Sequence, residues 1–348
     1  MTGAGACVVI PTLNEINHIE GLLAQLLAEP QTTVGEILVA DGGSEDGTRD
    51  IVRSIAVAEP RVHLIDNPDR VQAAGVNRAV GQGDHRFATI VRVDAHALYP
   101  EGYVGKLLAS MAATGADSVV VRMETVGRNC LQRAIAVASN SKIGTGGSAH
   151  RMARGSGFVD HGHHAAISRT LFERAGGYDA SFEANEDAEL DARLRALGGR
   201  IWLDADIPVT YFPRASLRSL SRQYRRYGSG RARTFLKHGE RLRLRQMLPP
   251  IAFAGALAGL LLAPFVPIML MVPAGYFAAI LASAVLLAVS ARSPCILLTA
   301  LVLPTMHFAW GAAFLGRLIT NWRRTAEILF RRNRGAAAAP QQTPKGAT

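Results

Sequence analysis

The chain has 348 residues, of which 49% are apolar and 19% are charged, and its formal net charge is +10. This length accommodates two domains of ordinary size. The basic residues flank hydrophobic segments and are not interleaved with aromatic residues, a distribution that excludes a nucleic-acid-binding surface and indicates a membrane. Three scattered cysteines without a Cys-x-x-Cys motif support neither a disulfide framework nor a zinc ribbon, so we predict a reducing compartment.

Short apolar strands alternate with amphipathic helices in the first part of the chain. We predict strands at 7–10, 36–40, 62–65, 88–93 and 118–123, and helices at 16–27, 48–56, 73–80 and 103–113. Asn14 is the predicted N-cap of the first helix. This alternation predicts a mostly parallel α/β sheet flanked by helices and joined by right-handed crossovers. No basic and apolar leader precedes the first strand, so we expect no signal peptide.

The second part of the chain is less regular. We predict helices at 130–140 and 186–197, regular structure at 165–175, and strands at 201–205 and 209–212. The segment 142–157 is rich in Gly, Ser and Arg and has no apolar period. We therefore predict a mobile loop near the site there.

Asp94 and His96 follow the apolar strand at 88–93. If that strand continues, two side chains two residues apart point the same way and together hold a divalent ion. Ligands of open α/β sheets bind at the carboxyl ends of the strands, so such an ion is positioned to neutralise a diphosphate. The alternative is that Asp94 caps the next turn and His96 lies on the surface.

Acidic residues also follow the first two strands. Asp41 precedes a Gly-Gly turn, where a carboxylate can accept hydrogen bonds from a base or a ribose and glycine allows close backbone approach. The turn lacks the Gly-x-Gly-x-x-Gly pattern of dinucleotide-binding proteins. Glu15 follows the first strand in the same way. For Asp41, the alternative is a plain turn in which Ser44 or Asp46 caps the next helix. For Glu15, the alternative is a negative charge at a helix start, where the helix dipole favours it.

Two residue pairs in the second part of the chain are candidates for chemistry. Glu186 and Asp187 open a helix. Because adjacent helical residues do not share a face, we expect at most one of them to point inward as a general base; the alternative is a dipole-favoured helix start. Gln223 and Arg226, beside aromatic residues, are spaced to clamp an anionic diphosphate. The alternative is that this segment supplies juxtamembrane positive charge that binds anionic lipid.

Three histidines lie close together, at His161, His163 and His164. Zinc requires three or four converging ligands, and one flexible turn supplies only two or three. We therefore predict histidines that contact substrate or belong to a loop, and not a dedicated metal site.

Three apolar runs follow the basic segment, at 251–273, 274–290 and 295–316. The first and last are long enough to span a bilayer, and their lack of charge favours membrane helices over a buried soluble core. Both flanks of this region are basic, so the positive-inside rule places both in the cytoplasm and requires an even number of crossings. Three runs conflict with that requirement unless one lies in the interface or re-enters, or the rule fails at the C-terminal end.

Six motifs occur along the chain: VVIPTLNE (8–15), EILVADGGSEDGT (36–48), NPDRVQAAGVNRAV (67–80), VRVDAH (91–96), RAGGYDASFEANEDAEL (174–190) and QYRRYG (223–228). With them, the sequence resembles the inverting family 2 glycosyltransferases of the GT-A fold. Within that family it is similar to the ExoA-type glucosyltransferases of succinoglycan biosynthesis. The resemblance extends from the first strand to the QYRRYG motif and implies a GT-A fold, a mostly parallel sheet flanked by helices.

The resemblance implies a role for each matching residue. It assigns the nucleotide sugar to seven residues: Pro11, Thr12, Glu15, Asp41, Ser44, Arg92 and Asp94. It makes Asp94 the Mg²⁺ or Mn²⁺ ligand of an Asp-x-Asp motif in which His96 replaces the second Asp. Asp187, with Glu186 beside it, would be the catalytic base. Gln223 and Arg226 resemble a Gln-x-x-Arg-Trp motif that binds diphosphate or acceptor, with Tyr227 in place of Trp.

The implied function is a metal-assisted single displacement. It moves a hexose, expected to be glucose, from a nucleotide-diphospho-sugar to a lipid-linked saccharide acceptor in exopolysaccharide biosynthesis. A single displacement inverts the anomeric carbon, so no enzyme nucleophile is required. Two alternatives stay open. A processive polysaccharide synthase would make long products, and a non-catalytic membrane scaffold that binds nucleotide sugar would tolerate the loss of Asp94 and Asp187.

The expected organisation has four parts: a GT-A glycosyltransferase domain over 1–220, a basic juxtamembrane segment over 221–248, two or three transmembrane helices over 249–320 and a tail over 321–348. The tail is basic and then, from Gly335, predicted to be disordered. We expect a multi-pass protein of the cytoplasmic (inner) membrane. Its catalytic domain is expected in the cytoplasm, since nucleotide sugars are cytosolic.

Overall fold

The computed structural model describes residues 3–147, 151, 155–240 and 242–337, and its centre is one eight-stranded sheet. The strands are β1 (Gly3–Thr12), β2 (Val34–Asp41), β3 (Val62–Asp66), β4 (Phe87–Arg92), β5 (Ser118–Thr125), β6 (Gly157–Val159), β7 (His163–Ser168) and β8 (Ile201–Tyr211). Their order across the sheet is β3-β2-β1-β4-β7-β5-β8-β6.

The sheet is mostly parallel, as predicted. β1 pairs in parallel with β2 and β4, β2 with β3, and β5 with β8. β7 lies antiparallel between β4 and β5, and β6 lies antiparallel to β8 at one edge. Parallel neighbours require long crossover connections, which the helices between the strands supply.

Both faces of the sheet are buried. On β1, Val8 and Ile10 belong to the apolar core on one face, whereas Cys7 and Val9 belong to the core on the other. These four side chains have no exposed surface. Successive strand residues point to opposite faces, so a strand covered on both faces requires a continuous apolar run.

The helices cover the sheet and then continue beyond it. They are α1 (Ile19–Leu27), α2 (Thr48–Ala58), α3 (Gln72–Gln82), α4 (Tyr103–Thr114), α5 (Cys130–Ser139), α6 (Lys142–Thr145), α7 (Arg169–Arg174), α8 (Glu186–Ala196), α9 (Leu217–His238), α10 (Leu244–Leu262), α11 (Met271–Ser290), α12 (Thr299–Thr320) and α13 (Trp322–Ala337). Two 3₁₀ turns, Pro267–Leu270 and Pro294–Leu298, precede α11 and α12.

Two local predictions are wrong because contacts distant in sequence set the backbone. Asn14 is not the N-cap of the first helix, which begins at Ile19. Asn14 has a left-handed backbone, with φ 58°, and its N–H donates to Ser44 Oγ. The strands predicted at 201–205 and 209–212 form the single strand β8, because a register shift lets its pairing with β5 continue.

The segment predicted as a loop at 142–157 contains regular structure. Helix α6 begins at Lys142, where the hydroxyl of Ser141 caps it by accepting from the N–H of Gly144. Strand β6 begins at Gly157. Residues 148–150 and 152–154 of this segment lie outside the described residues.

The C-terminal part of the chain is helical. Three stretches, Leu244–Leu262, Pro267–Ser290 and Pro294–Thr320, are long and apolar enough to cross a membrane. The basic segment that precedes them forms most of α9 and the start of α10. Of the tail predicted to be disordered from Gly335, residues 338–348 lie outside the described residues.

Cys130 of α5 and Cys295 of the second 3₁₀ turn form a disulfide, with Cα atoms 5.1 Å apart. The expectation that the cysteines support no disulfide is therefore wrong. The turn before α12 packs against α5 and brings together residues separated by 165 positions, which cysteine spacing does not reveal. Cys7 is buried in the sheet, where burial raises the pKa of its thiol.

Candidate active site

The candidate site lies at the sheet edge where β1, β2 and β4 end. β1 ends with Pro11 and Thr12, and β4 ends with Arg92. Because β7 runs antiparallel to β4, its first residue, His163, lies at this same edge. Helix α8 presents its start, Glu186, to the end of β4. Five elements therefore bring polar side chains to one place.

Arg92 is the centre of an ionic cluster. Only 6% of its side-chain surface is exposed. Its Nη1 donates to Asp187 Oδ1 at 2.9 Å and to Tyr178 Oη at 3.2 Å. Its Nη2 lies 3.4 Å from Glu186 Oε1, and its Nε lies 3.4 Å from Asp94 Oδ1. One guanidinium thus faces three carboxylates, and the cluster has an excess of negative charge.

Both acids at the start of α8 point inward, whereas the sequence predicted at most one. The side chains of Glu186 and Asp187 are 13% and 15% exposed. The guanidinium of Arg92 presents its donors as a planar fork, so it reaches two adjacent helix positions at once. Asn185, with a left-handed backbone of φ 70°, turns the chain into the helix directly before them.

Burial and charge shift the pKa values of this cluster in different directions. Burial, reinforced by the charge of Asp187, raises the pKa of Glu186. Burial alone would also raise the pKa of Asp94, but Arg92 and His163 outweigh it and lower that pKa. Burial opposes the charge of Arg92, yet the nearby carboxylates raise its pKa well above the ordinary value. Arg92 is therefore charged, whereas burial and the neighbouring carboxylate disfavour the ionised form of Glu186.

Asp94 and Asp187 are joined through His163. Its Nε2 lies 3.5 Å from Asp94 Oδ2, and its Nδ1 lies 3.3 Å from Asp187 Oδ2. Gln72 Nε2 donates to the other oxygen of Asp94 at 2.8 Å. The two acids expected to act on a leaving group and on a nucleophile therefore lie in one cluster, each in contact with both His163 and Arg92.

The described residues contain no group of three or more His, Cys, Asp or Glu side chains arranged to hold a metal ion. β4 ends at Arg92, so no continuing strand carries Asp94 and His96, and the imidazole in contact with Asp94 is that of His163. Mg²⁺ is often bound by one or two carboxylates together with substrate phosphates and water. The Asp94 carboxylate, with His163 beside it, fits an ion of that kind and not a cage made by protein alone.

Glu15 connects the loops that follow β1 and β4. Its carboxylate lies 2.9 Å from His96 Nδ1 and 2.9 Å from His18 Nδ1. The hydrogen bond with Glu15, together with the charge of Asp94, raises the pKa of His96. Burial opposes the ionised form of Glu15, but the two histidines outweigh it and lower its pKa. The pair Glu15–His96 therefore holds the two loops together at the site.

Asp41 organises the turn after β2 and has no exposed surface. Its carboxylate accepts from Thr12 Oγ1 at 3.1 Å, Ser44 Oγ at 2.6 Å and Arg49 Nη1 at 3.0 Å. The N–H groups of Gly43 and Ser44 donate to it as well. Burial would raise the pKa of Asp41, but these donors lower it. The carboxylate shapes the turn, and its contact with a nucleotide stays a prediction.

Comparison with known proteins places this geometry in a family. A model of "Glycosyl transferase family 2" matches residues 7–176. The succinoglycan biosynthesis protein ExoA of Rhizobium meliloti (strain 1021) is 46% identical over 331 residues, which cover 94% of this chain and 98% of that protein. The chain belongs to glycosyl transferase family 2. It is a glycosyltransferase.

Two further proteins are similar to this glycosyltransferase. The glycosyltransferase AglE of Haloferax volcanii is 26% identical over 114 residues, which cover 32% of this chain and 37% of that protein. The mannosyltransferase PcManGT from Pyrobaculum calidifontis, solved in complex with GDP-Man and Mn²⁺, has a TM-score of 0.56 at 23% identity. The match covers 90% of this chain and 86% of that one. At this identity the likeness concerns the fold, and the predicted GT-A fold is confirmed.

Gln223 and Arg226 of this family 2 glycosyltransferase lie on α9. Gln223 Nε2 donates to Tyr211 Oη at 3.1 Å and to Tyr227 Oη at 2.9 Å. Arg226 Nε lies 4.0 Å from Glu183 Oε2, and 58% of its side chain is exposed. These contacts join α9 to the end of β8 and to the loop before α8. The binding of diphosphate or acceptor by this pair stays a prediction.

Three side chains complete the glycosyltransferase site without having been assigned from the sequence: Gln72, His163 and Tyr178. Gln72 and Tyr178 lie inside the family motifs, and Tyr178 Oη donates to Asp187 Oδ1 at 3.0 Å. His163 was one of three neighbouring histidines, and only the antiparallel course of β7 places it between the two acids. His161 Nδ1 lies 2.7 Å from Asp191 Oδ2, and the side chain of His164 is outside the described ones.

Proposed function

We propose that this glycosyltransferase inverts the anomeric carbon of a nucleotide-diphospho-sugar in a single displacement. The observation that carries the proposal is the contact of Asp94 and Asp187 with the same two side chains, Arg92 and His163. A single displacement needs one group that acts on the leaving diphosphate and another that acts on the incoming hydroxyl. Two carboxylates in one cluster supply both.

Asp187 is proposed as the general base. The acceptor oxygen forms a bond to the anomeric carbon, and the bond from that carbon to the diphosphate oxygen breaks with its electron pair on the leaving group. The hydroxyl proton passes to the Asp187 carboxylate. Arg92 Nη1 and Tyr178 Oη both donate to Oδ1 and orient the carboxylate. Oδ2, which lies 3.3 Å from His163 Nδ1, is the oxygen proposed to take the proton.

Asp94 is proposed to hold Mg²⁺ or Mn²⁺ together with the donor diphosphate, with the imidazoles of His96 and His163 nearby. Such an ion, when bound, offsets the charge that develops on the leaving diphosphate. The excess of carboxylates around Arg92 supports this assignment, since a site with more acidic than basic groups attracts a divalent cation. The Mn²⁺ in the PcManGT complex supports it as well.

The remaining predicted residues surround this centre. The base and ribose of the donor are proposed to bind where β1, β2 and β4 end, at residues that share this edge: Pro11, Thr12, Glu15, Asp41, Ser44 and Arg92. Gln223 and Arg226 are proposed to bind diphosphate or acceptor from α9. The largely exposed guanidinium of Arg226 supports this role because it is available to an anionic ligand.

The donor is proposed to be a nucleoside-diphosphate hexose, with glucose as the sugar, and the acceptor a lipid-linked saccharide of exopolysaccharide biosynthesis. The 46% identity to the succinoglycan biosynthesis protein ExoA supports the biosynthetic class, and the GDP-Man of PcManGT supports the donor class. Exposed apolar side chains of the C-terminal helices, such as Leu261 and Phe265, support an acceptor held in a membrane. We place the reaction at the cytoplasmic face of the inner membrane.

Membranes that contain the full chain provide the test. They are incubated with a panel of nucleotide sugars and a polyprenyl-diphosphate-linked saccharide, in the presence of Mg²⁺, Mn²⁺ or EDTA. We expect one sugar to be added, with inverted configuration and only when a divalent ion is present. Asp187→Asn should slow transfer about 10³-fold, whereas Asp50→Asn, which changes an exposed acid of α2, should leave the rate unchanged.

Transfer by Asp187→Asn at the wild-type rate, or a product with retained configuration, would contradict the proposal. Long products from one acceptor would favour a processive synthase. Polysaccharide that stays unchanged in cells carrying both Asp94→Asn and Asp187→Asn would favour a scaffold.

A further inference from the structure

Helix α12 has the composition of a membrane-spanning helix. Its 22 residues, Thr299–Thr320, are about 33 Å long at 1.5 Å per residue. The sequence carries no charged residue between Arg292 and Arg317. By length and composition alone, this helix is able to cross a bilayer.

The contacts of α12 are those of a core helix. We call the sheet with α1–α9 the catalytic body. Leu220 of α9 shares an apolar cluster with Val302 and Leu303 of α12. Eight residues later on both helices, Gly228 approaches Trp310 so closely that a Cβ at 228 would lie 2.2 Å from the Trp310 carbonyl oxygen. The two helices therefore run side by side in the same direction.

The catalytic body also contacts the chain at both ends and the middle of α12. Cys295, just before α12, is bonded to Cys130 of α5. Near the middle, His307 Nε2 lies 3.0 Å from the carbonyl oxygen of Ile143 in α6. Beyond its end, Ile328 of α13 is buried and lies next to Gly239, directly after α9. The middle of a membrane-spanning helix lies in hydrocarbon, where the polar groups of a water-soluble domain would lose their hydrogen bonds to water.

Helix α9 cannot accompany α12 into lipid. It carries seven Lys and Arg residues: Arg218, Arg222, Arg225, Arg226, Arg231, Arg233 and Lys237. Its opposite side is fixed to α8, since Lys237 Nζ and His238 Nε2 lie 2.6 Å and 3.0 Å from Glu189 Oε1. Charged side chains are costly in hydrocarbon. A bilayer around α12 would therefore have to enclose α9 and part of the catalytic body.

Most of the exposed apolar surface lies instead on α10, α11 and the turn between them. On α12, large apolar side chains are exposed only near its ends, at Leu301 and Ile319, and none is exposed in the fully described stretch 302–318. Around the tip of the α10–α11 hairpin, large apolar side chains point outward: Leu257, Leu260, Leu261, Phe265, Ile268 and Met271. No charged residue occurs between Arg245 and Arg292. An apolar surface of this extent requires a nonpolar environment.

We propose that the α10–α11 hairpin is the part of the described chain that enters the lipid bilayer and that α12 belongs to the catalytic body. The hairpin leaves and returns on one membrane face. At its start, Arg245 Nη1 donates to the carbonyl oxygen of Gly147 at 2.9 Å, and after its end Cys295 is bonded to Cys130. The catalytic body and α13 therefore share one side. Basic flanks on both sides of three apolar runs are then compatible with the positive-inside rule.

Labelling from one membrane face tests this topology on the full chain. Cysteine is introduced at an exposed position of the catalytic body, Val57→Cys (90% exposed), or directly after α12, Trp322→Cys (64% exposed). Vesicles of known orientation are treated with a membrane-impermeant maleimide, and the wild-type chain gives the background. We expect both variants to be labelled from the same face and to remain unlabelled from the other.

Labelling of the two cysteines from opposite faces would overturn the proposal, because it requires a crossing by α12. An epitope tag after Thr348 gives a second readout that does not alter the helices. Antibody should reach it from the face that exposes Val57→Cys, and access from the other face would equally overturn the proposal. Release of the wild-type chain from membranes by alkaline carbonate would show that protein, and not lipid, covers the hairpin. The test is independent of the proposed chemistry at Asp187.

Discussion

Two ionic clusters on one helix, α8, differ in how many basic groups face their carboxylates. Around Glu186, the single guanidinium of Arg92 faces three carboxylates, and burial raises the pKa of Glu186. Around Glu189, one turn later, three basic groups contact the Glu189 carboxylate: Arg193, Lys237 and His238. Lys237 also pairs with Asp179 at 2.7 Å. Burial alone would raise the pKa of Glu189, but hydrogen bonds from these groups lower it well below its usual range.

The difference separates a reactive cluster from a structural one. The cluster at Glu186 lies at the sheet edge and has more carboxylates than guanidinium groups, so it can take up a cation or a proton. The cluster at Glu189 is saturated and joins α8 to α9, so its removal should weaken the fold. Four variants test this distinction.

The largest expected effect is the loss of catalysis in Asp187→Asn. The amide still accepts a hydrogen bond from Arg92, but it takes up no proton from the acceptor. We expect kcat to fall about 10³-fold while the thermal unfolding midpoint in detergent stays close to that of the wild type. Steady-state kinetics and a thermal melt measure the two quantities. A kcat near the wild-type value would remove Asp187 from the role of base.

Glu189→Gln should have the opposite pattern. It removes the charge that compensates three basic groups, and we expect the free energy of unfolding to fall by about 3 kcal/mol. Denaturant unfolding in detergent measures this loss, and kcat of the folded fraction should be unchanged. A variant as stable as the wild type, or one that is folded but inactive, would contradict a purely structural role for this cluster.

Asp94→Asn should weaken the binding of divalent ions at the site. Loss of one carboxylate ligand is expected to raise the Mn²⁺ concentration for half-maximal activity by roughly 10- to 100-fold. Activity titrated with MnCl₂ measures the shift, and Asp50→Asn serves as the matched control. An unchanged titration curve would place the ion elsewhere.

The smallest expected effect is a gain of stability in Glu186→Gln of less than about 1 kcal/mol at neutral pH. The folded-state pKa of Glu186 is raised, so its ionisation opposes folding as pH rises above the ordinary value of 4.5. The pKa of Glu189 is lowered, so its ionised form stabilises the fold above pH 4.5, and this stabilisation is lost as pH falls.

Unfolding midpoints measured against pH should therefore show the difference between wild type and Glu186→Gln growing towards neutral pH. The difference between wild type and Glu189→Gln should shrink towards acid pH. Parallel profiles for the two variants would refute this contrast.

Much of the sheet could be predicted because its pattern is local. An apolar run such as Val8–Ile10 needs only burial on both faces, which residue type reveals directly. Asn14 shows where this fails: its left-handed backbone is maintained by Ser44, a residue 30 positions away. The prediction of two separate strands in place of β8 fails for a similar reason, since the continuity of β8 depends on pairing with β5.

The candidate site was also only partly accessible from the sequence. Asp94 and Asp187 belong to motifs, so both could be named in advance. Their contact with His163 depends on the direction of β7, which no local pattern specifies. The inward orientation of both Glu186 and Asp187 depends on the reach of Arg92 from another strand.

The sequence by itself determined the family motifs, the alternation of strands and helices, and the apolar character of the three C-terminal stretches, since residue type and spacing are sufficient for these. Only the tertiary structure decided which of those stretches faces outward. Helices α11 and α12 are both apolar enough to cross a membrane, yet α12 packs along α9 whereas α11 leaves side chains such as Leu286 exposed. Composition describes what a helix can bury, and its neighbours determine whether protein or lipid covers it.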